Sequence, residues 1–502
     1  MRRRTFAAAL GTSALAGCSS VLTTDDGRDD TPPEDTPNEN EKGATGGNEN
    51  DGPVEFEDER SAASIVDLET IDRTYALSPR RYRTEDGGEI RLRFAETATE
   101  NHPARIVASL ENANDYENTF ELRWTPPFGR LGSDHPYPMG GDRGGGEYTY
   151  RQTLVLVPTE NHDLSDAEPP IERDGDGHWR LAGDRIRLPE TVRLDPGEVV
   201  RGEYAVVGHA DGTGSGRPTG VYEFSRGQRD AVRIAAWNTD EPGPAAASRF
   251  EGESVPSTPR EDSIAWFHDA DASTPTFVRP STERTDLPAE VEFTFVNRSR
   301  ESTKCGHWNL YKLVDGRWYH IGPYVHTADC RIVGPGATKT WTLHAFGGES
   351  VPCDGATEFG HLGGGRYAAV AGYGHETDHS AAMVKLVGDA VALEPTADAT
   401  AETSGTTVTV TTARPEEGEH ASPATLTATR TDDAESTVIT EQLYRQRYRG
   451  LRNVLAFFDD GVDRVVVHTD ERTAERVVGY DSDVARVGYD GESYEAQVDR
   501  RS

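Results

Sequence analysis

The chain writes one stretch of strand twice. Pro103-Ala-Arg-Ile-Val-Ala-Ser-Leu-Glu-Asn112 aligns without a gap on Pro288-Ala-Glu-Val-Glu-Phe-Thr-Phe-Val-Asn297. In each copy alternate positions are apolar (Ile106, Ala108 and Leu110; Val291, Phe293 and Phe295). That is the period of a strand with one face in a core, and the closing Asn has a side-chain amide that can cap a turn. Three more marks follow in the same order in both copies: a strand containing Trp (Trp124; Trp308), a Pro-Gly turn (Pro196-Gly197; Pro335-Gly336), and a Gly-x-Tyr opening a late strand (Gly220 and Tyr222; Gly365 and Tyr367). Chance explains one such match easily and four in order poorly, so the sequence reads as a duplication.

Short alternating runs separated by Gly, Pro, Asn and Asp fill both copies, which is a repeated strand signal. In the first they are Glu89 to Phe94, Ala104 to Leu110, Phe120 to Trp124, Gln152 to Val157, Val199 to Val207, Val221 to Phe224 and Val232 to Trp237. In the second they are Glu290 to Val296, Trp308 to Val314, Trp318 to Gly322, Thr338 to Leu343, Arg366 to Tyr373 and Ala382 to Val387. About seven short strands without helical period predict a β-sandwich for each copy, over 61–245 and 246–395, the first carrying a long insertion from about 132 to 190. The order of strand, Asn, strand, Pro-Gly turn and Gly-x-Tyr resembles bacterial immunoglobulin-like domains and the related intracellular proteinase-inhibitor-like sandwiches. The resemblance implies surface stalks, adhesion or recognition modules, and in a few cases protease inhibition.

From 396 to 502 the pattern changes to a small α+β domain. Thr407 to Thr411 and Ala424 to Thr429 read as a hairpin, and Ile439, Leu443, Tyr444, Tyr448, Leu451, Leu455 and Phe458 recur at helical spacing. Strands are expected at Arg464 to His468, Glu475 to Tyr480 and Val484 to Tyr489. Arg445, Arg447, Arg449 and Arg452 read as a solvated helix face neutralised by nearby acids. The fold class expected is therefore mainly β: two immunoglobulin-like sandwiches, then a small α+β domain, behind a disordered N-terminal tether.

That tether follows an export signal. Arg3-Arg4-Thr5-Phe6 looks like a twin-arginine core, Ala7 to Ala16 is an apolar stretch too short to span a bilayer, and Leu15-Ala16-Gly17-Cys18 looks like a lipobox. Residues 1–17 are thus expected to be a signal peptide and Cys18 the lipidated residue, anchoring the chain in membrane lipid at the extracellular face. Residues 18–60, rich in Asp, Glu, Asn, Gly, Thr and Pro, cannot bury enough surface to offset backbone ordering. A flexible coil of that length reaches about 35 Å. Five Lys among 52 basic residues, against 87 Asp plus Glu and a net charge of -35, resemble the proteins of extreme halophiles and exclude nucleic acid as a natural partner. The whole is thus similar to a haloarchaeal-type surface lipoprotein.

One string looks catalytic. His375-Glu376-Thr377-Asp378-His379 matches His-Glu-x-x-His, which binds Zn only when both His project from one helix. Here it lies between two alternating apolar runs, so it is expected to join neighbouring strands, and the chain is expected not to be an enzyme. Eight of the 15 His fall between 268 and 379 beside Cys305, Cys330 and Cys353, which leaves Zn or Cu binding, with His375 and His379 as ligands, as an alternative. Outside the cell, Cys305 and Cys330 are expected to form a disulfide bracketing a hairpin, with Cys353 left over. Asn297-Arg298-Ser299 is the one Asn-x-Ser/Thr sequon with a non-Pro centre, making Asn297 a candidate glycan site or simply a turn residue. The leading expectation is a non-enzymatic cell-surface lipoprotein that binds an extracellular protein or glycan or serves a structural role. Metal binding and protease inhibition are the alternatives.

Overall fold

A computed structural model describes residues 63–139, 152–184, 187–209, 217–224, 232–258, 264–305, 307–326, 331–353, 355–372, 379–413 and 422–500. Cys18, Cys330, His375 and Glu376 lie outside these residues, and Cys305 is described by its backbone alone. The chain is mainly β, with several sheets and few helices.

The first block packs two sheets face to face. One has the order Ser64–Leu68, Arg73–Ser78, Arg233–Trp237, Gly220–Glu223, all antiparallel. The other is built on Gly88–Glu96, Ala104–Asn112 and Val199–Gly208, with Leu154–Pro158 also pairing to Val199–Gly208. Along Ala104–Asn112 every second residue is buried, and Ile106, Ala108 and Leu110 meet Tyr75, Leu77, Ile234 and Tyr222 of the facing sheet in one core. The second block repeats this plan: Thr276–Pro280, Ala289–Asn297, Thr338–Ala345 and Thr357–Phe359 face a sheet containing His379–Val387, Gly365–Ala371, Trp308–Val314 and Arg317–Gly322. Val291, Phe293 and Phe295 point into its core with Trp308, Leu310 and Val384.

The duplication is visible in hydrogen bonds. Asn112 donates from Nδ2 to the carbonyls of Tyr116 (2.9 Å) and Leu194 (3.0 Å), and Asn297 donates likewise to Glu301 and Val333 (both 2.8 Å). Both Pro-Gly turns return the Gly N–H to that same Asn carbonyl, Gly197 at 2.9 Å and Gly336 at 2.8 Å, with φ of 72° and 73°. The phenol of Tyr222 donates to Pro218 O at 2.6 Å and that of Tyr367 to Gly363 O at 2.7 Å, each reaching four residues back. Gly220 and Gly365 sit at φ of 140° and 149°, a region open to Gly alone, which is why Gly-x-Tyr recurs. One expected correspondence fails. Trp308 is buried within its strand, but the strand of the first block ends at Glu121 and Trp124 lies beyond it, 52% exposed.

The last block is a seven-stranded sheet in the order Thr400–Ser404, Thr407–Thr411, Arg464–Asp470, Pro423–Thr431, Glu492–Arg500, Val484–Tyr489, Ser436–Thr437. Three helices cover it: α1 (Thr440–Leu443), α2 (Arg449–Leu455) and α3 (Glu471–Val478). The expected strand from Glu475 to Tyr480 is the second half of α3. Asp470 caps this helix by accepting from Thr473 N at 2.9 Å, and Ala474 and Val478, four residues apart, are its buried face. The expected long helix from Ile439 to Phe458 is broken into α1, a single 3-10 turn at Gln446–Tyr448, and α2.

Neighbouring blocks meet through residues the strand pattern placed on outer faces. Ala76, Val221, Ala235 and Trp237 of the first block pack against Phe277 and Val296 of the second. Of the four arginines expected as a solvated face, Arg445, Arg449 and Arg452 are drawn inward and Arg447 stays exposed. Arg445 donates to Gly360 O at 2.5 Å, and burial pushes its pKa down to about 10. Arg452 lies 4.0 Å over Tyr444 and donates to Glu394 O, and Arg447 lies 4.8 Å over Tyr324. Of the four only Arg449 pairs with an acid, Asp398, because α2 docks on loop carbonyls and aromatic rings. Beside them Lys312 of the second block forms a buried ion pair with Glu441 of α1, whose Oε1 also accepts from Gly363 N at 3.2 Å.

Candidate functional site

Asn297 serves the fold. It is 0% exposed, both amide hydrogens are donated to backbone carbonyls, and Oδ1 accepts from Ser299 N (2.9 Å) and Ser299 Oγ (2.7 Å). A glycan on Nδ2 would have to replace one of those hydrogens and its bond to a backbone carbonyl.

His379 opens the strand His379–Val387, which pairs antiparallel with Gly365–Ala371. It is buried, and its ring packs so close to Gly372 that a Cβ there would come within 2.2 Å of Nδ1. A strand residue does not share a helical face with a second ligand, and the partner positions His375 and Glu376 lie outside the described residues. The other described His of this block are divided among separate tasks: His361 stacks on Tyr444 at 3.7 Å, His344 reaches Glu290 at 3.4 Å, and His268 lies beside Trp266. His307 and His326 stack at 4.4 Å, and Asn309 Oδ1 lies 2.9 Å from Nε2 of His320 and 3.3 Å from Nε2 of His326. Among the described residues no group of three or more His, Cys, Asp and Glu is placed to hold a metal ion. Cys305 pairs with Arg331 in a short ladder, and Cys353 Sγ donates to Val351 O at 3.2 Å.

A concavity lies in the first block, where the strand Asn118–Glu121 gives way to the insertion. It is a cleft of about 830 Å³ reaching from Trp124 past Arg130 and Thr153 to Glu190. Its base is fixed by backbone: Ser133 N donates to Leu154 O (2.9 Å), Leu156 N to Leu131 O (2.7 Å) and Asp134 N to Glu223 O (2.7 Å). The turn bearing Trp124 is tight, with Gly129 N donating to Thr125 O at 2.9 Å and a Cβ on Gly129 excluded by Leu122 O at 1.7 Å. Leu122 N in turn donates to Glu190 O at 2.8 Å, tying that turn to the far wall.

Three features distinguish this cleft chemically. Trp124 is the exposed one of seven Trp; the other six are buried or half-buried. Its ring carries the Arg123 guanidinium at 5.1 Å. Thr153 is 7% exposed, yet its hydroxyl has no hydrogen-bond partner, and the Nε of Arg130 is likewise buried and unpaired while Nη2 holds Asp134 at 2.7 Å. Buried polar groups in native proteins are almost always satisfied, so two orphans on residues of one cleft are unmet hydrogen-bonding groups that a turn of either side chain would offer to something bound there. Composition hid the site, since its groups come from three separated stretches of sequence. The one available signal was Trp124 between Arg123 and Pro126-Pro127, where continued strand alternation fails.

No protein-family model matches the chain, and no curated protein does. Among solved structures, similarity is recorded to a polysaccharide lyase (TM-score 0.13, 9% identity, covering 62% of this chain and 36% of that one). It is also recorded to Escherichia coli alpha-2-macroglobulin in its native conformation (0.13, 10%, 75% and 26%) and activated by porcine elastase (0.14, 11%, 72% and 28%). The chain thus spans about a third or less of these proteins' lengths, and likeness at this level carries no argument.

Proposed function

We propose that the protein is a non-enzymatic binding protein, held by a lipid on Cys18 at the extracellular face of the cell membrane. Its immunoglobulin-like blocks form a frame, and the first of them presents the Trp124 cleft to a ligand. The observation that carries this reading is the pair of unpaired buried polar groups, Thr153 Oγ1 and Arg130 Nε, lining a cleft with the one exposed tryptophan. Ligand clefts in general are concave, partly apolar and equipped with a few placed polar groups. The test is a thermal-shift screen of the full chain against neutral sugars, nucleotides, amino acids, dicarboxylates and diamines. One class is expected to raise Tm, and Thr153→Val is expected to reduce the rise. The anchor is tested by Cys18→Ser, which moves the protein from the membrane fraction to the medium.

A further inference from the structure

We infer that the Trp124 cleft takes a neutral saccharide, an inference that rests on the binding reading above and gives it a chemistry. The charges lining the cleft balance. Three guanidinium groups (Arg123, Arg130, Arg187) meet three carboxylates (Asp134, Asp184, Glu190), in a chain whose net charge is -35. A site for an anion or cation needs a surplus of the opposite sign, because a desolvated charge must be paired. This wall has none. It offers instead donors and acceptors in equal number, Arg130 and Asp134 already paired at 2.7 Å, which suit the vicinal hydroxyls of a sugar, each hydroxyl being donor and acceptor at once.

The indole supplies the other half. A pyranose ring has a flat, weakly apolar C–H face and a polar rim, and a half-exposed aromatic ring next to polar side chains matches both. Trp124 is held by a tight turn, so it presents its surface at little ordering cost. The remaining hydrogen-bond capacity, Thr153 Oγ1 and Arg130 Nε, belongs to residues of the same cleft but is itself buried, so two sugar hydroxyls would satisfy it once those side chains turn toward the opening. Stacking and hydrogen bonding also suit the surroundings implied by so acidic a surface. At about 1 M salt the Debye length is about 3 Å, so recognition by charge is screened away while recognition by contact persists.

The experiment titrates the full chain with hexasaccharides of glucose, mannose, xylose and N-acetylglucosamine, and in parallel with ATP, succinate and putrescine, by calorimetry. At least one hexasaccharide is expected to bind, with Kd changing less than about twofold between low and molar KCl. Trp124→Ala is expected to weaken it about tenfold, Trp124→Phe to retain most of the affinity, and Thr153→Val to weaken it about fivefold. Because Trp124 is half in solvent, its variants are expected to keep the wild-type Tm. Binding of a charged probe, lost in Thr153→Val, with no saccharide bound, overturns the saccharide inference and leaves the cleft as a binding site. Saccharide binding unchanged in Trp124→Ala overturns the assignment to this cleft. Silence from every probe overturns both readings.

Discussion

Asn112 and Asn297 close their strands with the same set of bonds, and each does so almost entirely out of solvent. Losing either side chain strands two buried carbonyls and at least one N–H, so Asn→Ala at each position is expected to cost about 2–4 kcal/mol, read from urea unfolding. The same geometry predicts an intact mass without sugar at Asn297; a glycan there would require the turn to be rebuilt. A second residue responds to pH. Burial, with the neighbouring Arg217 next in weight, holds the His178 imidazole down to about 4. Unfolded, it takes a proton near 6.5, so its contribution is complete above that pH and is lost as the pH falls from 6.5 to 4. Stability is expected to drop across that window by on the order of 2–3 kcal/mol through this group, and His178→Gln is expected to flatten the drop in a Tm-versus-pH series.

At the scale of elements, α3 shows what alternation leaves out. Glu475 to Tyr480 offers apolar residues at neighbouring positions that fit a short strand. What decides for helix lies one turn earlier, in the Asp470 cap, and later, in Gly479 at φ 91°. Asp470→Ala removes the bonds to Thr473 N and Oγ1 and is expected to cost about 1 kcal/mol, whereas Asp470→Asn restores most of it. The strands of the two sandwiches were legible because alternate residues are apolar and face a core and a turn residue stands at the end, as in Ala104–Asn112 and Ala289–Asn297. The inward turn of Arg445 and Arg452 was not legible, because their partners are Gly360 O for the one and Glu394 O and the Tyr444 ring for the other, and no local pattern encodes those. Cleft residues escaped for the same reason: Trp124, Thr153 and Glu190 are neighbours only after the insertion has folded back.

For the whole molecule, the repeated Pro-Gly turn provides an internal control on how firmly the blocks are joined. Gly197 and Gly336 have the same φ and the same bond to an Asn carbonyl, so an Ala at either carries the same left-handed strain, about 1–2 kcal/mol. Their surroundings differ. A Cβ on Gly197 meets nothing within 4 Å, whereas one on Gly336 comes 2.5 Å from Ala235 Cβ and 3.2 Å from Ala76 Cβ, on the outer face of the first block. Because Ala76 and Ala235 sit in strands, the collision is relieved only by parting the blocks, which exposes Trp237 and Phe277. Gly336→Ala is therefore expected to lose about 1–3 kcal/mol beyond Gly197→Ala and to split a shared calorimetric transition of the two blocks into separate ones. Equal losses, with one transition retained in both variants, would mean that the apolar seam between the blocks adds no stability and that each sandwich unfolds on its own terms.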